Sequence, residues 1–261
     1  MRDIAKDKQS SILKEQFIPD HVFFYIIKGE ISFFDGNRRY TFKAGECGMA
    51  QRNRLAKYIL SDSIEEFEPI IVCFEEAFLQ QFEKKHKKLK TTTGKTNDGF
   101  VKIQTTELIH SFIHSLKPYY KDVMQLDEAF EELKSEELLL ILLRDQPKLA
   151  DILFDYSIPE KINLEAFMNR NFMFNVSIQR FAYMTGRSLS AFKRDFKKIY
   201  NETPNRWLIQ KRLQEAYLLL DTKKWKPSDI YLELGFETLA HFSYAFKKRF
   251  GHAPSKLTES R

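Results

Sequence analysis

One segment of this sequence occurs twice, and the repeat constrains the fold more than any other feature. Residues 189–204 align with residues 239–254 when the first segment is moved by fifty positions. The copies share aromatic residues, a lysine pair and a closing proline at matching places: Phe192 with Phe242, Phe196 with Phe246, Lys197-Lys198 with Lys247-Lys248, Tyr200 with Phe250, and Pro204 with Pro254. The match indicates two copies of one supersecondary unit, which is too few for a solenoid.

Each copy has the pattern of a helix-turn-helix. The apolar residues of the first copy fall at i, i+4, i+7 and i+8, as on one face of a helix: Phe192, Phe196, Ile199 and Tyr200. A shorter helical pattern precedes each copy and ends at Gly186 or Gly235, and Ser188 and Thr238 are good N-caps for the longer helices. A short helix, a glycine turn and a longer helix with a basic outer face are typical of this DNA-binding motif.

The outward-facing side of each longer helix supplies the candidate DNA-binding residues. In the first copy they are Ser188, Ser190, Lys193, Arg194, Lys197 and Lys198, and in the second Thr238, Ala240, His241, Tyr244, Lys247 and Lys248. Arg194 can bind guanine through two hydrogen bonds, whereas no matching residue of the second copy can. The two copies are therefore expected to contribute unequally. The alternative for Arg194 is an exposed helix charge beside Asp195.

The segment between the copies reads as a single connecting helix over residues 205–220. Ile209, Leu213, Ala216 and Leu220 lie on one side of it. At about 1.5 Å per residue such a helix is roughly 25 Å long. With the widths of the flanking helices added, the two units are expected to lie near one turn of DNA apart, about 34 Å.

These motifs resemble the DNA-binding domain of the AraC/XylS family of transcription regulators. The residues that carry the resemblance are Ala182, Gly186, Ser188, Phe192, Arg194, Phe196 and Lys197, then Arg212, Leu213, Ala216, Leu219 and Leu220, then Gly235, Phe236, Phe242, Phe246, Lys247, Lys248, Phe250, Gly251 and Pro254. The match begins near residue 160 and runs to the end. Ala240 stands where the family usually has Ser, and Tyr231 where it usually has Ala. The resemblance implies a regulator that binds double-stranded DNA.

The charge of the chain is unevenly distributed. From Glu160 onward there are 19 Lys and Arg against 10 Asp and Glu, whereas the preceding residues have 23 against 26, within an overall formal charge of +6. The whole basic excess therefore lies in the segment that contains the repeats. A basic segment of this kind is typical of a polyanion-binding protein.

The N-terminal part has the pattern of a small antiparallel barrel or sandwich. Short β-rich runs at residues 21–27, 31–34, 40–42, 57–60 and 69–74 are separated by turn residues, among them Asp35-Gly36. This order resembles the cupin-like sensor domain that often precedes such DNA-binding modules. Two helices predicted at residues 105–116 and 127–143 form an αα-hairpin broken at Pro118. The apolar face predicted for the second helix consists of Phe130, Leu133, Leu138, Ile141 and Leu142. Polar segments are predicted at residues 1–16 and 91–99.

The sequence thus predicts an α+β protein with a cupin-like antiparallel β-barrel, an αα-hairpin and an all-α C-terminal domain. The expected domains are residues 1–100 for the sensor, 101–158 for the helical hairpin and linker, and 159–261 for DNA binding. The resemblance implies that the hairpin mediates homodimerisation. It also leaves RNA polymerase and a small-molecule or protein effector as partners.

No enzymatic activity, cofactor or metal is predicted. A metal-binding cupin needs several histidines and a carboxylate on its strands, and this segment offers His21 alone. Cys47 and Cys73 are too few for a disulfide framework, and with no secretory leader they favour a cytoplasmic protein. The main alternative is a protein-interaction module built from repeated helices, although protein interfaces are depleted in lysine.

Overall fold

The computed structural model describes residues 16–60, 67–86, 98–122, 125–223 and 225–259. The chain divides into two compact units, Met1–Ser157 and Ile158–Arg261. The polar segments predicted at residues 1–16 and 91–99 lie outside the described residues, apart from the last residue or two of each.

The first unit begins with short strands joined by turns. They are β1 (Phe17–Ile18), β2 (His21–Lys28), β3 (Glu30–Phe34), β4 (Arg39–Lys43), β5 (Cys47–Ala50), β6 (Arg54–Leu55), β7 (Lys57–Leu60), β8 (Glu68–Phe74) and β9 (Phe100–Ile103). All pair antiparallel, in a four-stranded sheet of order β8-β2-β5-β9, a three-stranded sheet of order β4-β3-β7 and a small β1-β6 ladder. Gly29, with a φ of 84°, lets the chain pass from β2 to β3 and so from one sheet to the other.

Of the two predicted alternatives, barrel or sandwich, these strands form an open sandwich and do not close into a barrel. Strand β2 buries both of its faces. Phe24 and Ile26 pack against the three-stranded sheet, and Phe23 and Tyr25 pack against helices. The unit therefore has three layers, and no described strand joins the two main sheets into one ladder. The α+β class and the β-rich nature of this part are confirmed.

Helices cover the outer face of the four-stranded sheet. They are α1 (Glu76–Lys85), α2 (Glu107–Leu116), α3 (Glu128–Asp145) and α4 (Ala150–Leu153), with 3-10 turns at Lys117–Tyr119 and Pro147–Leu149. The two predicted helices of the hairpin are confirmed as α2 and α3. Between them lies a two-stranded ladder that the sequence did not predict, formed by β10 (Tyr120–Asp122) and β11 (Gln125–Leu126).

Part of the predicted apolar face of α3 faces solvent. Leu138 and Leu142 are buried against the sheet, as their spacing predicted. Phe130 and Leu133, which were expected on the same face, are 38% and 63% exposed, and Leu140 is 44% exposed. The N-terminal half of α3 therefore buries Lys134 and Ser135 on one side and presents apolar side chains to water on another.

The second unit is all helical in its described part. It contains α5 (Leu164–Asn171), α6 (Ile178–Met184), α7 (Leu189–Tyr200), α8 (Pro204–Lys223), α9 (Pro227–Ile230), α10 (Leu239–Phe250) and α11 (Lys256–Glu259). The connecting helix predicted at residues 205–220 is confirmed as α8 and is longer than expected, about 30 Å for its 20 residues. Leu213, Ala216 and Leu220 of α8 are buried and pack on α9 and α10.

Candidate nucleic-acid interface

Helix α7 is defined by signals within its own segment. The Ser188 side chain accepts a hydrogen bond from the backbone N–H of Ala191 at 3.3 Å and caps the N-terminus. Phe192 and Phe196, four residues apart, are fully buried, and Phe196 packs edge-on against Trp207 of α8. Asn201 ends the helix in the left-handed conformation. These contacts fix which side of α7 faces solvent.

The candidate residues of α7 lie on that solvent side. Ser188, Ser190, Lys193, Arg194, Lys197 and Lys198 are all exposed. Lys197 and Lys198 lie in the last helical turn, where a cation is favourable beside the negative end of the helix dipole. Helix α7 thus presents hydroxyl and guanidinium groups near its first half and ammonium groups near its end.

Helix α10 repeats this construction fifty residues later. The Thr238 side chain accepts from the backbone N–H of His241 at 3.1 Å, Phe242 and Phe246 are fully buried, and Gly251 ends the helix in the left-handed conformation. Its candidate residues are also exposed: Thr238, Ala240, His241, Tyr244, Lys247 and Lys248. Tyr244 is 68% exposed, which is unusual for an aromatic side chain on a helix.

The lysine pairs at the ends of α7 and α10 are free to bind an external anion. None of Lys197, Lys198, Lys247 and Lys248 forms an ion pair with a described residue. An uncompensated pair of exposed ammonium groups attracts phosphate without distinguishing bases. Because the pairs occupy the same register, the two helices offer phosphate the same arrangement twice.

The turns before both helices require glycine. Gly186 has a φ of 64°, and a Cβ added there would collide with the backbone of Glu160. Gly235 has a φ of 83°, and a Cβ there would lie 2.7 Å from the carbonyl oxygen of Met173. The chain therefore passes close to another segment at each turn, and this close approach fixes the angle at which the longer helix leaves.

A buried arginine holds the second turn. Arg212 of α8 is 8% exposed and donates hydrogen bonds of 2.8 Å to the carbonyl oxygens of Phe172, Phe174 and Gly235. Burial lowers its pKa to about 10, so the guanidinium remains charged at neutral pH. Arg212 thereby joins the connecting helix, the segment after α5 and the turn before α10.

A second arginine holds the first turn in a different way. Arg187, whose side chain is 9% exposed, donates to the carbonyl oxygens of Ile162 and Thr185 at 2.9 and 2.7 Å. Its Nε also donates to the Asp195 carboxylate of α7 at 3.2 Å. That bond holds the pKa of the Asp195 carboxyl below its usual range. No pattern in the sequence predicted the role of Arg187, and Asp195 was expected only as a neighbour of Arg194.

In the described part of the first unit, aromatic side chains pack between the two sheets. Between the sheets, the ring of Phe24 lies 4.7 Å from that of Phe42, and Phe33 stacks on Phe100 at 4.4 Å. His21 is 2% exposed, and burial lowers its pKa to about 3. Among the described residues, no group of three or more histidine, cysteine or acidic side chains could hold a metal ion.

A membrane-spanning segment is also not found in the described part of the chain. None of its helices combines the length and the apolar character needed to cross a bilayer.

Two parts of the chain match known sequence families. Residues 21–152 match the ExsA N-terminal regulatory domain, and residues 181–260 match a helix-turn-helix domain. The first match covers just over half of the chain, and the second contains both α7 and α10.

Similarity to known proteins extends over most of the chain. The HTH-type transcriptional regulator ExsA of Pseudomonas aeruginosa is 23% identical over 243 residues, which are 91% of this chain and 86% of that protein. Thermoregulatory protein LcrF of Yersinia pestis is 24% identical over 238 residues, 89% of this chain and 87% of its own. A crystal structure of apo ToxT from Vibrio cholerae aligns with 94% of this chain and 90% of its own at 16% identity, with a TM-score of 0.44.

Proposed function

We propose a DNA-binding mode for this chain, which belongs to the AraC family of transcription regulators and has the ExsA-type N-terminal regulatory domain. The protein binds DNA through its helix-turn-helix domain. In the proposed mode, α7 and α10 enter successive major grooves on one side of the duplex. The observation that carries the proposal is the repeated exposed basic face, which recurs in the same register on two helices joined by a rigid α8 of about 30 Å.

Contacts to phosphate set the position of each helix in this proposal. Lys197, Lys198, Lys247 and Lys248 neutralise phosphates, and the hydroxyl groups of Ser188 and Thr238 lie at helix N-termini, where backbone N–H groups favour an anion. These contacts carry no base preference. They supply affinity that falls as the salt concentration rises.

Base discrimination then comes mainly from the first helix-turn-helix. Arg194 is assigned to guanine, with Ser190 and Lys193 beside it, because a guanidinium can donate to O6 and N7 together. The matching positions of the second helix-turn-helix hold Ala240, His241 and Tyr244. A neutral imidazole or a phenol makes single hydrogen bonds, so this second copy contributes less to the choice of sequence.

The N-terminal unit is assigned to self-association and to regulation. We infer that it forms a homodimer through α3, because Phe130, Leu133 and Leu140 present an apolar stripe to solvent. Aromatic side chains fill the space between the sheets, which favours an effector that docks on the surface of the unit. RNA polymerase is the expected partner of the DNA-bound protein, and this function places the protein in the cytoplasm with the DNA.

The test begins with selection of bound duplexes from a random library, which supplies an operator. Arg194→Ala, Tyr244→Ala and Lys247→Ala are then measured against every single-base change in that operator. Arg194→Ala should flatten the preference for guanine at one half-site, removing about 1–3 kcal/mol of discrimination. Lys247→Ala should weaken binding to all duplexes alike, and Tyr244→Ala should lower affinity mildly. An unchanged base profile for Arg194→Ala, together with a scrambled one for Tyr244→Ala, would refute the assignment.

A further inference from the structure

Three charged side chains meet at the first recognition helix. The Asp195 carboxylate binds Arg187 through one oxygen and Arg194 through the other: Oδ2 lies 3.2 Å from Nε of Arg187, and Oδ1 lies 3.6 Å from Nε of Arg194. Arg187 is nearly buried and is itself fixed by two backbone carbonyl oxygens, of Ile162 and Thr185. Arg194 is 67% exposed. The carboxylate therefore pairs with a nearly buried arginine on one side and with an exposed one on the other.

The second helix-turn-helix lacks this arrangement of three charges. Fifty residues after Arg187, Arg194 and Asp195 come Glu237, Tyr244 and Ala245. The repeat keeps the helix, its caps and its buried phenylalanines, but it does not keep the three charges. A helix-turn-helix of this type can therefore form without the three charges, as α10 does.

We propose that Asp195 is a positioning residue that determines specificity. It directs Arg194 at the base that the first helix-turn-helix contacts. The inference deepens the proposed function and rests on the assignment of Arg194 to guanine. Arg194 forms its ion pair with Asp195 through Nε, and a guanidinium paired at Nε can still use its two terminal nitrogens. Those two nitrogens are the pair that can donate to O6 and N7 of guanine.

Two physical effects of Asp195 act in opposite directions. Holding an arginine side chain before binding lowers the entropy that is lost when it contacts the base, which sharpens the choice of base. The carboxylate is also a negative charge beside the DNA phosphates, which lowers affinity for every sequence. The low pKa of Asp195 keeps this charge in place at neutral pH. The residue therefore trades general affinity for discrimination.

Asp195→Asn separates these effects. An amide has one accepting oxygen, so it can keep its bond to Arg187 or to Arg194, not both. We expect preference for guanine at that half-site to fall by about two- to tenfold, the cost of ordering one long side chain. Binding to all duplexes at low salt should at the same time tighten by about twofold, since one repulsive charge is gone.

The experiment measures the full-length protein against the operator and its guanine substitutions, with Asp195→Asn, Arg194→Ala and the double variant. The double variant should discriminate no worse than Arg194→Ala alone, because Asp195 acts through Arg194. Glu202→Gln is the matched control: it removes another carboxylate that pairs with an arginine, Arg206 at 3.6 Å. The control should leave the preference for guanine unchanged.

The outcomes separate the two proposals. If Arg194→Ala flattens the guanine preference while Asp195→Asn leaves it intact, the positioning role is overturned and the assignment of Arg194 stands. If Arg194→Ala has no effect on the profile, both are overturned. If Asp195→Asn lowers affinity and discrimination together, with a lower unfolding temperature, the residue only stabilises the fold, and the positioning role is again overturned.

Discussion

Replacement of Arg212 by methionine should strongly destabilise the C-terminal unit. The change removes a charged donor from three buried carbonyl oxygens, of Phe172, Phe174 and Gly235, each bonded at 2.8 Å. Hydrogen bonds to charged groups contribute about 1.5–3 kcal/mol each, so the gross loss is roughly 4–9 kcal/mol. Methionine keeps the apolar stem and cannot replace these bonds.

Part of that loss is offset, because the buried guanidinium is costly. Burial lowers the pKa of Arg212 to about 10, which corresponds to roughly 3 kcal/mol of desolvation that methionine does not incur. The net loss of unfolding free energy should therefore be about 1–6 kcal/mol, compared with the 5–15 kcal/mol that is typical of a whole domain. Because Gly235 lies in the turn before α10, binding by the second helix-turn-helix should also weaken.

The assay is urea unfolding followed by tryptophan fluorescence. Both tryptophans of the chain, Trp207 and Trp225, lie in the C-terminal unit, so the signal reports that unit within the full-length protein. Arg206→Met is the matched control on the same helix, since Arg206 is 75% exposed and pairs only weakly with Glu202; it should change the unfolding free energy by less than about 0.5 kcal/mol. Arg212→Lys keeps the charge but cannot reach three carbonyl oxygens, and should recover less than half of the loss.

Equal unfolding free energies for the wild type, Arg212→Met and Arg206→Met would refute this reasoning. That result would mean that the three carbonyl oxygens find other partners at no cost when the guanidinium is removed.

Three further predictions concern each unit separately. The stability of the N-terminal unit should fall by roughly 1.5 kcal/mol between pH 6.5 and pH 5. The unfolded chain protonates His21 near pH 6.5, while the folded state, in which His21 has a pKa of about 3, does not. The variant His21→Gln should flatten this dependence when unfolding is followed by circular dichroism. Residues 155–261 produced alone should unfold in one cooperative transition and bind the operator duplex, and a fragment without a cooperative transition would contradict this. Elemental analysis of the purified protein should find no stoichiometric iron, zinc or manganese, and a stoichiometric metal would overturn that expectation.

Local signals explain why the recognition helices could be predicted from the sequence. A cap such as Ser188, the i, i+4 spacing of Phe192 and Phe196 and a left-handed C-cap at Asn201 all act within one segment of a dozen residues. The repeat supplied each signal twice. The bounds of α7 and α10 and the exposure of their candidate residues therefore follow from sequence alone.

Long-range contacts explain what could not be predicted. Strand β5 pairs with β9, some fifty residues later, and no pattern within either segment specifies that partner. The spacing of Phe130 and Leu133 gives their face on α3, but not which side of that half of the helix packs on α2, where Lys134 and Ser135 are buried. The sequence identifies Arg212 only as a residue of the family motif, because the carbonyl oxygens that it binds lie in other segments. It identifies Asp195 only as a surface charge, because its pairing with Arg187 depends on the burial of that arginine.

The salt dependence of operator binding tests the central claim most directly. Each neutralised phosphate contributes about 0.9 to the slope of log affinity against log salt concentration. The double variant Lys197→Ala/Lys198→Ala should therefore lower the slope by about 2, and Lys247→Ala/Lys248→Ala should lower it by the same amount, because in the proposed mode both helices contact the duplex at once. If replacing one lysine pair lowers the slope and replacing the other leaves it unchanged, the result would contradict simultaneous docking of α7 and α10.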